Sequence, residues 1–286
     1  MPAVALLLLL VAALLHASWN VLVKRAAEKD AFMWWAWVVS SVGYAPVLLF
    51  SPALPRAAWP YILVSGLAQA GYSVALTRAY QLGDFSLVYP LARGAAPALL
   101  LLWAVVFLGE RPSAYGLLGV AVLLLGLLSV GGMLGRMARP RGARLSGAAM
   151  LAALGVALCI SIYSAVDGAG VRIAAPLPYT VAEFIVATIA LTPIVLRRYP
   201  RAVLRREWQA NWPRIVLVGA LILLTYALVL LAYSQSHVSY AGAIREVSVI
   251  FAALIGWRWL GEPLGTARLA GALLIFGGIL IIAAAG

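Results

Sequence analysis

The chain has 286 residues, of which 65% are hydrophobic and only 10% charged, and its mean hydropathy is +1.01. A soluble chain carries about a quarter charged residues, and the apolar runs here are too long for a globular core, which excludes a soluble cytosolic domain. The formal charge of +12 reads as juxtamembrane Lys and Arg following the positive-inside bias, not as a nucleic-acid surface.

A helix needs roughly 20 apolar residues to cross a bilayer. Lipid obliges every backbone group to find a partner within the chain, so only helices or closed barrels span it. The runs are continuous rather than alternating, which predicts helices. The first, near 2–23, has no basic leading region and no small-residue cleavage site, and it carries His16 and Asn20. It therefore reads as a retained span, not a signal peptide. Spans follow near 32–50, 59–81, 85–108 and 113–132. In the second of the five, Trp34, Trp35 and Trp37 read as an interfacial belt. In the fourth, Arg93 lies between Pro90 and Pro97, which predicts a bend or break. Five more spans lie near 146–168, 178–196, 213–235, 238–260 and 265–285. The single cysteine, Cys159, sits inside the sixth. It allows no intramolecular disulfide, and metal-site spacing is absent, so no metal or cofactor is expected.

The two groups of five repeat each other. Trp59-Pro60 with Ile62 and Gly66 recurs as Trp212-Pro213 with Ile215 and Gly219. Ala79-Tyr80 recurs as Ala232-Tyr233, Ser86 as Ser239, and Pro46 matches Pro193. Leu108-Gly109-Glu110 returns as Leu260-Gly261-Glu262 after a one-residue slip. Gly119 and Gly126 return as Gly271 and Gly278, which reads as close helix packing. Five spans per copy is odd, so the copies must lie in the membrane with opposite orientation. The expected fold is all-α integral membrane, with ten transmembrane helices in two inverted five-helix repeats. Residues 1–132 form the first, 133–145 a basic connecting loop, and 146–286 the second. Such repeats are the architecture of secondary carriers, with the site near the midplane between them.

This doubled unit, each copy ending in Leu-Gly-Glu before a Gly-rich last helix, resembles the drug/metabolite transporter superfamily, and within it the EamA-type branch. His16-Ala17-x-Trp19-Asn20-x-x-x-Lys24 is similar to a pattern common at the start of such proteins. The resemblance implies export or uptake of small metabolites, often amino acids or related compounds, by a multi-pass protein of the inner (plasma) membrane. Fifteen Lys and Arg fall in loops after odd-numbered spans, against Arg56, Arg111 and Arg172 on the other side. That bias places the odd loops in the cytoplasm and both termini outside. The resemblance implies the opposite, cytoplasmic termini; we follow the charges.

Ionisable residues in mid-span are costly and mark functional sites by default. Arg93 in the fourth span and Arg245 with Glu246 in the ninth, its repeat-mate, should meet near the pseudo-two-fold axis. Two guanidiniums facing one cavity would hold a carboxylate, phosphonate or phosphate by forked hydrogen bonds. The bland alternative is an internal Arg–Glu pair locking the two helices. His16, Trp19 and Asn20 share one end of the first span, with Tyr163 the repeat-mate of Trp19. Together with Tyr89 and Tyr240 they complete the candidate substrate contacts. Glu183 is a candidate for proton coupling. Lys24, Arg78, Asp84 and Asp167 sit near span ends, where snorkelling or loop contacts explain them as well as function does.

These features predict a secondary, alternating-access carrier of a small polar metabolite, foremost an amino acid or related amphoteric or anionic compound. The partners are solute, bilayer and a coupling proton; monomer and homodimer both fit. The nearest rival is an exporter of lipophilic or quaternary amine cations held by a carboxylate and aromatics. Others are a lipid-linked flippase or a membrane-embedded enzyme, although HExxH and GxSxG are absent and His16 and His237 are not spaced as a metal pair.

Overall fold

A computed structural model describes residues 1–24, 26–82, 85–130, 147–251, 254 and 266–285. Lipid-compatible helices account for nearly all of them: α1 (Ala3–Lys24), α2 (Lys29–Tyr44), α3 (Val47–Phe50), α4 (Trp59–Leu82), α5 (Phe85–Phe107) and α6 (Ala114–Val130). The second half contributes α7 (Gly147–Gly170), α8 (Pro176–Arg198), α9 (Arg201–Tyr233), α10 (Val238–Arg245) and α11 (Thr266–Ala285). Among the described residues five helical stretches are long and apolar enough to cross a membrane, and shorter apolar helices cover 91–107, 114–129 and 269–284.

Prolines act unequally. Pro46 separates α2 from α3, whereas α5 runs through Pro90 and Pro97 without a break. Trp212-Pro213, read from sequence as the start of the eighth span, instead lies inside α9, which begins at Arg201 and extends for 33 residues. The expected basic loop before that span is therefore mostly helix. The ninth span departs the other way. Its helix α10 ends at Arg245, and Glu246, Val247, Val249 and Ile250 donate to carbonyls three residues back, a tight 3₁₀ spacing that often marks a functional hinge.

The halves are wound around each other. The main packing pairs are α1 on α9 and α4 on α7, α2 on α9 and α4 on α8, and α5 on α7 and α1 on α10. Each pair maps onto the other under exchange of the repeats. The helices that pack on their own mates are α2 with α8, α5 with α10 and α6 with α11. At the α6–α11 crossing a methyl on Gly119 would meet the Gly278 carbonyl at 3.0 Å, and one on Gly126 would meet that of Gly271 at 2.7 Å. The repeated glycines therefore touch across the axis, and any side chain there would separate the helices.

The Leu-Gly-Glu motif has an equally direct role. Gly109 has φ +67, a left-handed conformation that costs glycine little. It turns the chain so that the Glu110 N–H closes on the Ala104 carbonyl. Its carboxylate then caps α10 of the other repeat, accepting from the Val238 N–H at 2.5 Å, the Ser239 N–H at 3.2 Å and the Ser239 hydroxyl at 2.5 Å. These are donors that a helix start leaves without intrahelical partners.

The tryptophans of α2 also pack inside the protein. Trp34 and Trp37 are buried, and the Trp34 and Trp35 indoles donate to the Thr192 hydroxyl and the Leu204 carbonyl, each at 3.0 Å. These rings pack between α2, α8 and α9 instead of facing only lipid.

Candidate functional site

Arg93, about two turns along α5, and Glu246, at the end of α10, come from different repeats. Their side chains meet in the protein interior with Arg93 Nε 2.7 Å from Glu246 Oε2. Arg93 Nη2 also donates to the Ser248 hydroxyl at 3.2 Å. Arg245 approaches the same carboxylate less closely, its Nε 3.9 Å from Glu246 Oε1, and its guanidinium lies 5.9 Å from the centre of the Tyr163 ring on α7. Arg93 is 8% and Glu246 0% exposed. Two cations thus share one carboxylate, which leaves the trio with a surplus positive charge. A buried charge is costly unless paired, so an incoming anion would be favoured here.

His16 on α1 lies within electrostatic reach of both arginines, and its ring stands edge-on to Trp19 at 4.7 Å. The Trp19 indole N–H is buried without a hydrogen-bond partner among the described residues. Asn20 behaves otherwise: its amide donates to the His16 carbonyl at 2.7 Å and the residue is exposed, so it is spent on its own helix. Tyr240 also fails the expectation. Its hydroxyl accepts from the Ser113 N–H at 2.9 Å, at the start of α6, away from the arginines. The Tyr89 side chain lies outside the described residues.

Glu183 on α8 belongs to a second, adjoining polar group. It is fully buried, and its Oε1 accepts from Ser65 at 2.7 Å and from Gln69, both on α4. Its Oε2 has no hydrogen-bond partner among the described residues. Asp167 on α7, near a span end by sequence and open there to snorkelling, loop contacts or function, is 0% exposed. It accepts from Tyr179 at 2.9 Å and from Tyr226, and it feels the charge of Arg245. Snorkelling is therefore wrong for Asp167. The loop after α7 folds inward, burying Val171 and Ala174 above it. Sequence carried one clue, since Asp167 is four residues beyond Tyr163 and hence on the same helix face. Ser65 and Gln69 share that spacing on α4. Further along, the Thr225 hydroxyl is buried without a hydrogen-bond partner among the described residues, and the Ser164 hydroxyl is buried beside that of Tyr233. Buried polar atoms are normally satisfied, so their concentration on α1, α7, α8 and α9 is a chemical feature that water or a polar solute would complete.

A cavity of about 690 Å³ opens at the face bearing Met1, with Gly109, Glu110, Arg172, His237 and Tyr240 among its lining. At its floor Glu110 also meets His237 Nδ1 at 3.6 Å and Arg172 at 3.8 Å. Arg245 lies five residues beyond Tyr240 on the same helix, roughly 7.5 Å deeper at 1.5 Å per residue. The Glu110 cap and the arginines therefore lie at different depths along α10.

Comparison with known proteins agrees with this architecture. The profile of the EamA-like transporter family matches residues 3–132 and 147–284, the two repeats in turn. One protein of known crystal structure superposes with a TM-score of 0.77 over 98% of each chain at 20% identity, which is a likeness of fold. No curated protein sequence gives a significant match.

Proposed function

This chain belongs to the EamA-like transporter family of the drug/metabolite transporter superfamily, and from that premise we propose that it carries a small amphoteric or anionic metabolite, foremost an amino acid or related compound. It does so by alternating access between the two halves, in the cytoplasmic membrane. The observation that supports the reading is the Arg93–Glu246–Arg245 trio, in which each repeat supplies one guanidinium to a single buried carboxylate. Arg93 is the tighter partner of Glu246, so Arg245 is the group that receives the solute's acidic end. A guanidinium presents a rigid donor fork matched to carboxylate or phosphonate. The Tyr163 face and the Glu246 carboxylate stand where an amine would be held beside it. Glu183 is the coupling carboxyl: among the described residues it has no cation within ion-pair distance, and one oxygen is left for a proton.

A thermal-shift series on the purified protein tests this, because a ligand that binds only the folded state raises its apparent stability. Amino acids, phosphonates or organic anions should stabilise the wild type and fail to stabilise Arg245→Ala, which should also lose uptake. Glu183→Gln should keep solute exchange but lose accumulation driven by a proton gradient. Stabilisation by bulky quaternary amines alone would transfer the assignment to cation export, with both arginines reduced to helix locks.

A further inference from the structure

The first three turns of α9 hold a feature that transport does not use. Leu204, Trp34, Trp35 and Trp208 wall an apolar cleft of about 360 Å³, and Arg201 and Arg205 form its rim. The three indoles adjoin in sequence, tilted at 53° and 49° to one another, with ring centres 4.6 and 4.9 Å apart. The N–H groups of Trp34 and Trp35 are already given to protein acceptors, so these two rings offer the cleft only apolar surface. Arg201 and Arg205, four residues apart, lie on one helix face, and both are exposed. Neither has an acidic partner within ion-pair distance among the described residues. Two acids of this face, Asp30 and Glu207, are engaged elsewhere, while Glu28 is exposed and gives its backbone N–H to Glu207. Asp30 is held by Arg198 at 3.1 Å and Tyr199 at 3.2 Å, and Glu207 accepts from Asn211 at 2.7 Å. The first turn of α9 contains no acidic residue.

We infer that this cleft is a binding site for an anionic phospholipid, the phosphodiester lying between Arg201 and Arg205 and the upper part of an acyl chain lying against the tryptophans. The charge complementarity selects the occupant. Guanidiniums bind phosphate by paired charge-assisted hydrogen bonds, tryptophans favour the depth of lipid headgroups, and juxtamembrane arginines attract anionic lipid. A free phosphate would use the rim and leave the apolar wall uncovered. Because the cleft joins α2, α8 and α9, a seated lipid would brace both repeats at this face.

The test is independent of the solute. Purified protein in neutral detergent is titrated with phosphatidylglycerol, with phosphatidylcholine of the same chains, and with glycerophosphate, and followed by thermal shift and native mass spectrometry. Phosphatidylglycerol should raise the melting temperature by several degrees more than phosphatidylcholine and remain bound in the spectrometer, while glycerophosphate does neither. Arg201→Ala/Arg205→Ala should abolish that preference. Arg197→Ala/Arg206→Ala, which removes equal charge from exposed positions outside the cleft, should keep it. Equal effects of the two lipids, equal loss in the two double variants, or full stabilisation by glycerophosphate would each overturn the site. Should the first double variant not fold, Arg205→Gln alone decides between the same outcomes.

Discussion

At the scale of single residues, the three charges between the repeats have separable duties, because their distances differ. Arg93 and Glu246 form the close pair, and removing one partner of such a buried pair typically costs about 3–5 kcal/mol. Arg93→Ala should therefore lower stability by that order as well as abolish uptake, since Glu246 would keep only the distant Arg245. Arg93→Met combined with Glu246→Leu removes the close pair but leaves Arg245 without its carboxylate, so unfolding measurements should recover only part of the loss. Uptake should stay absent. Restored uptake in the double variant would show that the trio only locks helices. Arg93, Arg245 and Glu246 were legible in the sequence because a charge within an apolar run is rare and expensive. Asp167 was not, because distance along a helix from its end says nothing of depth once the following loop folds inward. Tyr240 misled for a related reason. The repeat fixes its position along the helix but not its partner, and the nearest unmet donor was the Ser113 N–H.

At the scale of elements, the small-residue faces and the Leu-Gly-Glu motif were visible as patterns, while their partners required three dimensions. Gly119 faces Gly278, and Gly126 faces Gly271. Repeat-mates by sequence are 119 with 271 and 126 with 278, and the exchange of partners is what an axis crossing between antiparallel helices requires. Gly126→Leu should therefore destabilise by about 1–3 kcal/mol or more, as overpacking does. Gly155→Leu, where an added methyl meets nothing within 4 Å, should leave melting nearly unchanged. Equal melting of the two would mean that the helices do not cross so closely. The long α9 escaped the sequence reading because Trp212-Pro213 looked like a start signal. In the structure the preceding turns are held by packing of Leu204 and Trp208 against α2, and tertiary contact overrides the proline. The hinge after Arg245 left no Gly or Pro in the sequence to announce it.

At the scale of the whole molecule, the question is which face looks into the cell. Both termini lie together, since the Met1 amine donates to the Ala283 carbonyl at 3.4 Å. The vestibule beside them is lined by Arg111, Arg172 and His237. The opposite face gathers Asp30, Arg198 and the start of α9, where most of the fifteen odd-loop Lys and Arg fall in sequence. The cytoplasmic side of a membrane protein is the one rich in Lys and Arg. Flipping this chain would carry all fifteen across the membrane to spare only three. The charge bias thus favours a vestibule open to the outside, against the cytoplasmic termini that family resemblance implies. A cysteine-free background (Cys159→Ser) separates the two arrangements. Ser236→Cys lies at the vestibule and should react with a membrane-impermeant maleimide on intact cells. Gln209→Cys, exposed on the basic face, should react only after permeabilisation. The reverse labelling would put the arginine-rich face outside, and the vestibule lined by Glu110 would then open to the cytoplasm.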